Sequence, residues 1–454
     1  MTGRTPAVRC ACSSASASHS ASAARWGPTA SRRSPTSLGT HHEDAPTSRL
    51  RDLLLPASIV VSLLASSSAP TPLYAKYSDQ WHFSPITTTV VFGTYCIAVL
   101  AALLVLGRAS DHLGRRPVLL GALALQIVAM VVFSEAGDIG ALFAGRILQG
   151  FGTGSALGAL GAAMLDVDRE RGTRANAVAP GLGSGIGALS SGLIVQYLPA
   201  PTRLVYLVFI GVFLAQALGV ALLTEATGRR PGLRAALIPE LAVPRHLRRL
   251  LLAVAPVLFA VWSLGGFYGS LAPALARQLS GSDSAVIGGL GLVVLTVVSS
   301  VTIVAFARIP PRTVMFLGIT LLVLGSLGTL LAVEASSVTG FFACTLVCGI
   351  GFGAGFQGGM RTVVPLVAEH ERAGVLSSIY VICYLGMGLP AVVAGILVVH
   401  GGGLSTATRD YSLFVVTFAV ATLISLLRVR GRTRPASLTC AAHDDVRCAP
   451  SPNR

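Results

Sequence analysis

Apolar runs of membrane-spanning length follow one another along most of the chain, and a run of that kind leaves few structural choices. In hydrocarbon a backbone has no water to bond, so a stretch of about 20 apolar residues must satisfy its own N–H and C=O groups as a helix. Such runs lie at about 53 to 75, 86 to 107, 117 to 134, 139 to 164, 175 to 198 and 203 to 224. A polar, Arg- and Pro-containing stretch from Glu225 to Arg249 interrupts them. Six more lie at about 250 to 272, 285 to 307, 313 to 334, 338 to 365, 374 to 400 and 410 to 428. Only 12% of residues are charged, too few to cover a water-soluble surface of this size. The expectation is an all-α membrane protein of twelve transmembrane helices in two six-helix halves, residues 51–224 and 250–428. Between and around them lie a linker (225–249), an N-terminal tail (1–50) and a C-terminal tail (429–454).

A net charge of +15 raises the question of nucleic acid, and the position of the charge answers it. With the loops alternating sides, 28 of the 34 basic residues fall on the side of the two tails. Only Lys76, Arg203, Arg277 and Arg409 fall on the other, while Arg146 and Arg361 lie inside helices. That bias predicts cytoplasmic termini in a multi-pass cell-membrane protein with lipid, and no nucleic acid, as its partner. Residues 1–50 have no apolar run and no acid before Glu43, so they are expected to be disordered. Their Arg-rich, acid-poor make-up imitates an organellar transit peptide. With 33 Arg in the chain against the single Lys76, a coding bias or an early start site accounts for it equally well. The eight cysteines form no CxxC pair, and Cys344 and Cys348, on one helix face without His or Asp, read as packing rather than metal ligation.

One internal repeat is visible. GFGTGSALGAL at Gly150 to Leu160 aligns with GFGAGFQGGMR at Gly351 to Arg361, so the fourth and tenth runs correspond, as two parallel six-helix halves require.

Between the second and third runs stands GRASDHLGRRP, Gly107 to Pro117. Gly107 and Gly114 permit a tight turn, Asp111 offers a carboxylate, and Arg115 and Arg116 anchor the loop in the cytoplasm. The segment resembles the G-x-L-x-D-R-x-G-R-R loop of the major facilitator superfamily, with Ala109 for Leu and His112 for Arg. The resemblance implies a gating cluster in which Asp111 and a loop Arg brace the second helix against the eleventh. The matching loop of the second half, ARIPPR at Ala307 to Arg312, keeps only the charge.

In the fourth run, GRILQGFGTG places Arg146 about 10 Å inside the membrane. A guanidinium there is a functional site unless it snorkels to the surface, which is within its reach. With Gln149, Gly150, Gly152 and Gly154 it resembles the R-x-x-Q-G-x-G segment of the drug/proton antiporter branch, where the Arg is implicated in proton coupling. The fifth run, GLGSGIGALSSG with Gly183 and Gly187, resembles that branch's glycine-rich signature, although the Gly-Pro pair of the signature is missing and Pro180 is the only proline. These glycines also suit plain helix packing. Trp262 and Tyr268 in the seventh run and Gln357 in the tenth are further candidates for substrate or coupling contacts, and Arg361 reads as a snorkelling side chain.

No G-x-x-x-x-G-K-S/T loop occurs, and no hydrolase motif, so no enzymatic activity, cofactor or metal is expected and transport must be gradient-driven. Asp and Glu all fall at loops, tails or helix ends, so coupling would use Asp111, Asp166, a protonatable substrate or no proton at all. The expected function is alternating-access export of small hydrophobic or cationic compounds, as a monomer, coupled to a proton gradient. An importer or facilitator of a small nutrient or organic anion, and a transport-inactive receptor or scaffold, are the alternatives.

Overall fold

In a computed structural model of the full chain, residues 46–107, 109–222, 241–368 and 371–430 are described. The expected tails, up to residue 45 and beyond residue 430, and residues 223–240, which include most of the expected linker (225–249), lie outside them. Every element among the described residues is a helix. The first half holds α1 (Pro46–Ser68), α2 (Pro70–Trp81), α3 (Pro85–Leu106), the short α4 (Ala109–Leu113), α5 (Arg115–Ser134), α6 (Ile139–Val167), α7 (Arg169–Tyr197) and α8 (Pro201–Leu222). After the linker come α9 (Arg245–Ser270), α10 (Ala272–Ser280), α11 (Ala285–Ala305), α12 (Pro311–Glu334), α13 (Val338–Val363), α14 (Arg372–His400) and α15 (Gly403–Arg430).

Eleven of these stretches are long and apolar enough to cross a membrane. The remaining helix, α6, is 29 residues long, ample for the crossing, but Arg146, Gln149 and seven glycines lower its apolarity. It completes twelve spans. α6 packs against α1, α3 and α5, so its polar groups face protein rather than lipid.

Spans 1 and 7 are each broken: α1 gives way to α2 at Ala69, and α9 to α10 at Leu271. The run read as 53 to 75 therefore continues to Trp81, because Lys76, Asp79 and Gln80 are exposed and lower hydropathy without ending the helix. The last span starts at Gly403 rather than residue 410, after Gly402 and Gly403 turn the chain at φ 101° and 90°.

The glycine stripes set the distances between spans. A Cβ on Gly150 would lie 2.5 Å from the Ala98 Cβ, and one on Gly154 2.5 Å from the Val99 carbonyl oxygen, so α6 and α3 meet backbone to backbone. Gly152 faces Gln126 and Ala122 of α5. On α7, Gly183 and Gly187 press on Val61 and Ala65 of α1, while Gly181 and Gly185 meet Thr296 and neighbouring residues of α11. Most buried apolar side chains gather in two clusters, one from residues 53–220 and one from residues 247–419 joined by Ala188. A third cluster crosses between them, with Phe92, Tyr95, Cys96 and Val99 of α3 against Tyr384 and Ala391 of α14.

Gly154→Leu should cost well over the roughly 1–3 kcal/mol of ordinary overpacking, because the obstacle is backbone. Gly121→Ala, with nothing within 4 Å, should leave the melting temperature unchanged. Thermal unfolding of the two purified variants checks the contrast.

Candidate functional site

Span 1 cannot run as one helix through Ser66-Ser67-Ser68-Ala69-Pro70-Thr71-Pro72. Pro70 carries no N–H, so the Ser66 carbonyl loses its donor four residues on. The hydroxyls of Ser66 and Ser67 donate back to the Leu63 carbonyl at 2.9 and 2.7 Å, and that of Ser68 to Leu64 at 3.0 Å, which bends the helix further. An unmet carbonyl in hydrocarbon costs several kcal/mol, and span 4 supplies the donors. Gln149 Nε2 donates to the Ser66 carbonyl at 3.0 Å, and Arg146 Nη1 to the Ser67 carbonyl at 2.8 Å. From span 5, the Ser191 hydroxyl donates to the Ala69 carbonyl at 2.6 Å.

Arg146 is 0% exposed, so its guanidinium does not reach either surface. Four of its N–H groups are directed at neutral partners. Nε and Nη2 donate to Tyr74 Oη at 3.0 and 2.5 Å; Nη1 donates to Gln149 Oε1 at 2.8 Å as well as to Ser67. The rings of Tyr74 and Tyr95 lie 5.6 and 5.3 Å from its central carbon. One layer out, Gln126 Nε2 on α5 donates to the Gln149 carbonyl and to Thr153 Oγ1, each at 2.9 Å. Among the described residues, Arg146 is the only charged side chain that is buried. A lone buried cation is costly, and here charge-assisted hydrogen bonds of about 1.5–3 kcal/mol each, with two ring faces, offset that cost without a carboxylate.

The second half shows the same logic at its own break. Pro273 frees the Gly269 carbonyl, which accepts from Thr71 Oγ1 of span 1 at 3.1 Å. The two broken spans thus meet at the face away from the linker, around a cleft of about 110 Å³ that Tyr74, Ser78, Thr88, Ser270 and Arg277 help to line. Nearby, Ser284 Oγ donates to Gln196 Oε1 at 2.5 Å, joining the start of α11 to the end of α7.

Arg146 and Gln149 come together as one site; the other expected residues do not join them. Tyr268 is buried in the second-half core, its hydroxyl 2.8 Å from Thr345 Oγ1. Gln357 Nε2 donates to the Ile303 carbonyl at 2.9 Å, at the contact with α11, and Arg361 Nη1 donates to Phe306 at 3.3 Å. Trp262 packs on Tyr384 and Phe356, with ring centroids 4.9 and 6.0 Å away. In the loop, Gly114 takes φ 93°, a conformation that favours glycine, and Gly107 lies where the α3 end meets Gly158. Arg115 pairs with Asp166 at the end of α6, and Arg116 donates to the Ala221 carbonyl at the end of α8. Asp111 lies in α4, but its side chain is outside the described residues, and with it the expected brace between spans 2 and 11.

Tyr74, Tyr95 and Gln126 were missed in the sequence. Gln126 did carry a signal, as a lone amide in an apolar run, and Pro70 and Pro72 inside the first run marked the freed carbonyls.

Twelve spans with two proline breaks and a walled-in arginine define a polytopic membrane protein. Residues 56–307, more than half of the chain, match the Major Facilitator Superfamily, and the chain belongs to that family of transporters. It is 28% identical over 333 residues to the multidrug resistance protein MdtL of Escherichia coli O81 (strain ED1a), covering 72% of this chain and 81% of that protein. To MdtL of Escherichia coli (strain K12 / DH10B) it is 29% identical over 338 residues, with the same coverage. The crystal structure of a mutant of the nucleoside transporter NupG aligns with a TM-score of 0.61 over 84% of this chain and 99% of that one; at 13% identity the likeness is one of fold.

Arg146→Met removes a desolvated charge together with its hydrogen bonds to Tyr74 and Ser67, two effects of opposite sign on stability. The melting temperature should stay within a few degrees of wild type while transport is lost. Parallel thermal-shift and vesicle-transport measurements check this; loss of fold together with activity would mark a merely structural residue.

Proposed function

We propose that the chain exports small hydrophobic or cationic compounds across the cell membrane at the expense of a proton gradient. It does so by rocking residues 51–224 against residues 250–428 about a site between spans 1, 4, 7 and 10. The observation that carries this reading is the likeness, over 72% of the chain, to a protein named for multidrug resistance. The contacts between the halves support it. Thr71 with Gly269, Gly93 with Gly388, and Gln196 with Ser284 join them toward the face away from the linker.

With the termini cytoplasmic, as the basic bias indicates, that face is the outer one, and Ser300 with the Val178 carbonyl joins the halves again nearer the cytoplasmic side. On the loading side, Arg115 with Asp166 and Arg116 with the Ala221 carbonyl tie spans 3, 4 and 6 together, so the loop from Gly107 to Arg116 moves as part of one body. No Asp or Glu residue is buried among the described residues, so the proton that enters in exchange for the substrate is taken up at a carboxylate nearer a membrane face, such as Asp166.

Everted membrane vesicles containing the protein should accumulate a fluorescent hydrophobic dye when acidified inside, and a protonophore should abolish the accumulation. No accumulation above empty-vector vesicles, with folded protein present, would overturn the export reading; accumulation by whole cells would replace it with import.

A further inference from the structure

Trp262 sits on the inner side of α9, half-buried, and its indole Nε1 is enclosed without any hydrogen-bond partner. Buried indole N–H groups ordinarily find an acceptor, so an unpartnered one in a ring-walled place marks where an acceptor is received. Aromatic rings of two other spans stand against it, Tyr384 at 4.9 Å and Phe356 at 6.0 Å, both inclined by about 60°, and Trp262 and Tyr380 pack on the inter-half cluster that holds Tyr384 and Tyr95. Such a wall accepts a flat ligand.

The second observation is charge. Tyr95, in the buried cluster on which Trp262 packs, presents its ring to Arg146 at 5.3 Å. A guanidinium does not release its proton, and no Asp or Glu is buried among the described residues, so the field at the wall stays positive. At an effective dielectric constant of about 20, a unit charge alters the affinity for a charged ligand by about tenfold in either direction even when the two are as far as roughly 10 Å apart. An anion is then favoured over an equally shaped cation by about a hundredfold.

From these observations we infer that the substrates are planar aromatic weak acids, the aromatic carboxylate being the simplest. The Trp262 indole N–H donates to the acid group, and Arg146, acting through space, selects against cations. The inference rests on the export reading for its setting and narrows its substrate class from hydrophobic or cationic to hydrophobic and acidic.

The test is binding of three probes with one ring system, 2-naphthoate, 2-naphthamide and 2-naphthylmethylammonium, to the purified full chain by calorimetry. Affinity should fall in that order, by about tenfold at each step. Trp262→Phe keeps the ring and removes the donor; it should weaken naphthoate and naphthamide about tenfold and leave the ammonium unchanged. An ammonium that binds as tightly as the carboxylate, a Trp262→Phe protein that binds naphthoate like wild type, or folded protein that binds none of the three overturns the inference. Dye export in everted vesicles is scored separately. Export with the wrong probe order refutes only the substrate class, and the right order without export refutes only the export reading.

Discussion

Two prolines each remove a backbone donor inside the membrane, and the arrangement of the broken spans follows from what replaces it. Pro70 frees the Ser66 carbonyl and Gln149 meets it; Pro273 frees the Gly269 carbonyl and Thr71 meets it. In water either carbonyl would simply be hydrated. In hydrocarbon it needs a donor from another span, so the breaks act as attachment points. Span 1 is thereby fixed to spans 4, 5 and 7 through Arg146, Gln149, Ser191 and Thr71.

Close approach makes these attachments reachable. Gly150 and Gly154 bring α6 onto α3, and Gly183 and Gly187 bring α7 onto α1, so short side chains such as Ser191 span the remaining gap. Arg146 is then held by a bent helix, two rings and an amide, an arrangement that places a permanent positive charge in the protein interior. Stability alone would be served as well by an apolar side chain, which is why the charge is ascribed to transport.

Much of this was legible in the sequence. Arg146 and Gln149 stood out because a polar pair in an apolar run has no other reason to be there, and the stripe from Gly150 to Gly158 announced a packed helix. What hydropathy concealed was anything decided by direction rather than composition. Tyr74 lies on the polar-looking end of the first run, where an aromatic residue reads as an interfacial anchor. Its role depends on the turn of α2 after the break, which aims its hydroxyl at Arg146. Tyr268 and Gln357 drew attention by residue type, yet helix rotation turns them toward Thr345 and Ile303, away from Arg146. The α15 start at Gly403 escaped for a related reason: Ser405, Thr406, Thr408 and Arg409 lower hydropathy without interrupting the helix.

The central claim is that the break of span 1 works through the carbonyls it frees. The most direct measurement is the transport rate, with the melting temperature, of the double variant Pro70→Ala/Pro72→Ala. The new N–H groups let α1 and α2 close into one helix and compete with Gln149 for the Ser66 carbonyl. The account predicts a protein at least as stable as wild type that transports much more slowly. A double variant that transports at the wild-type rate would contradict it.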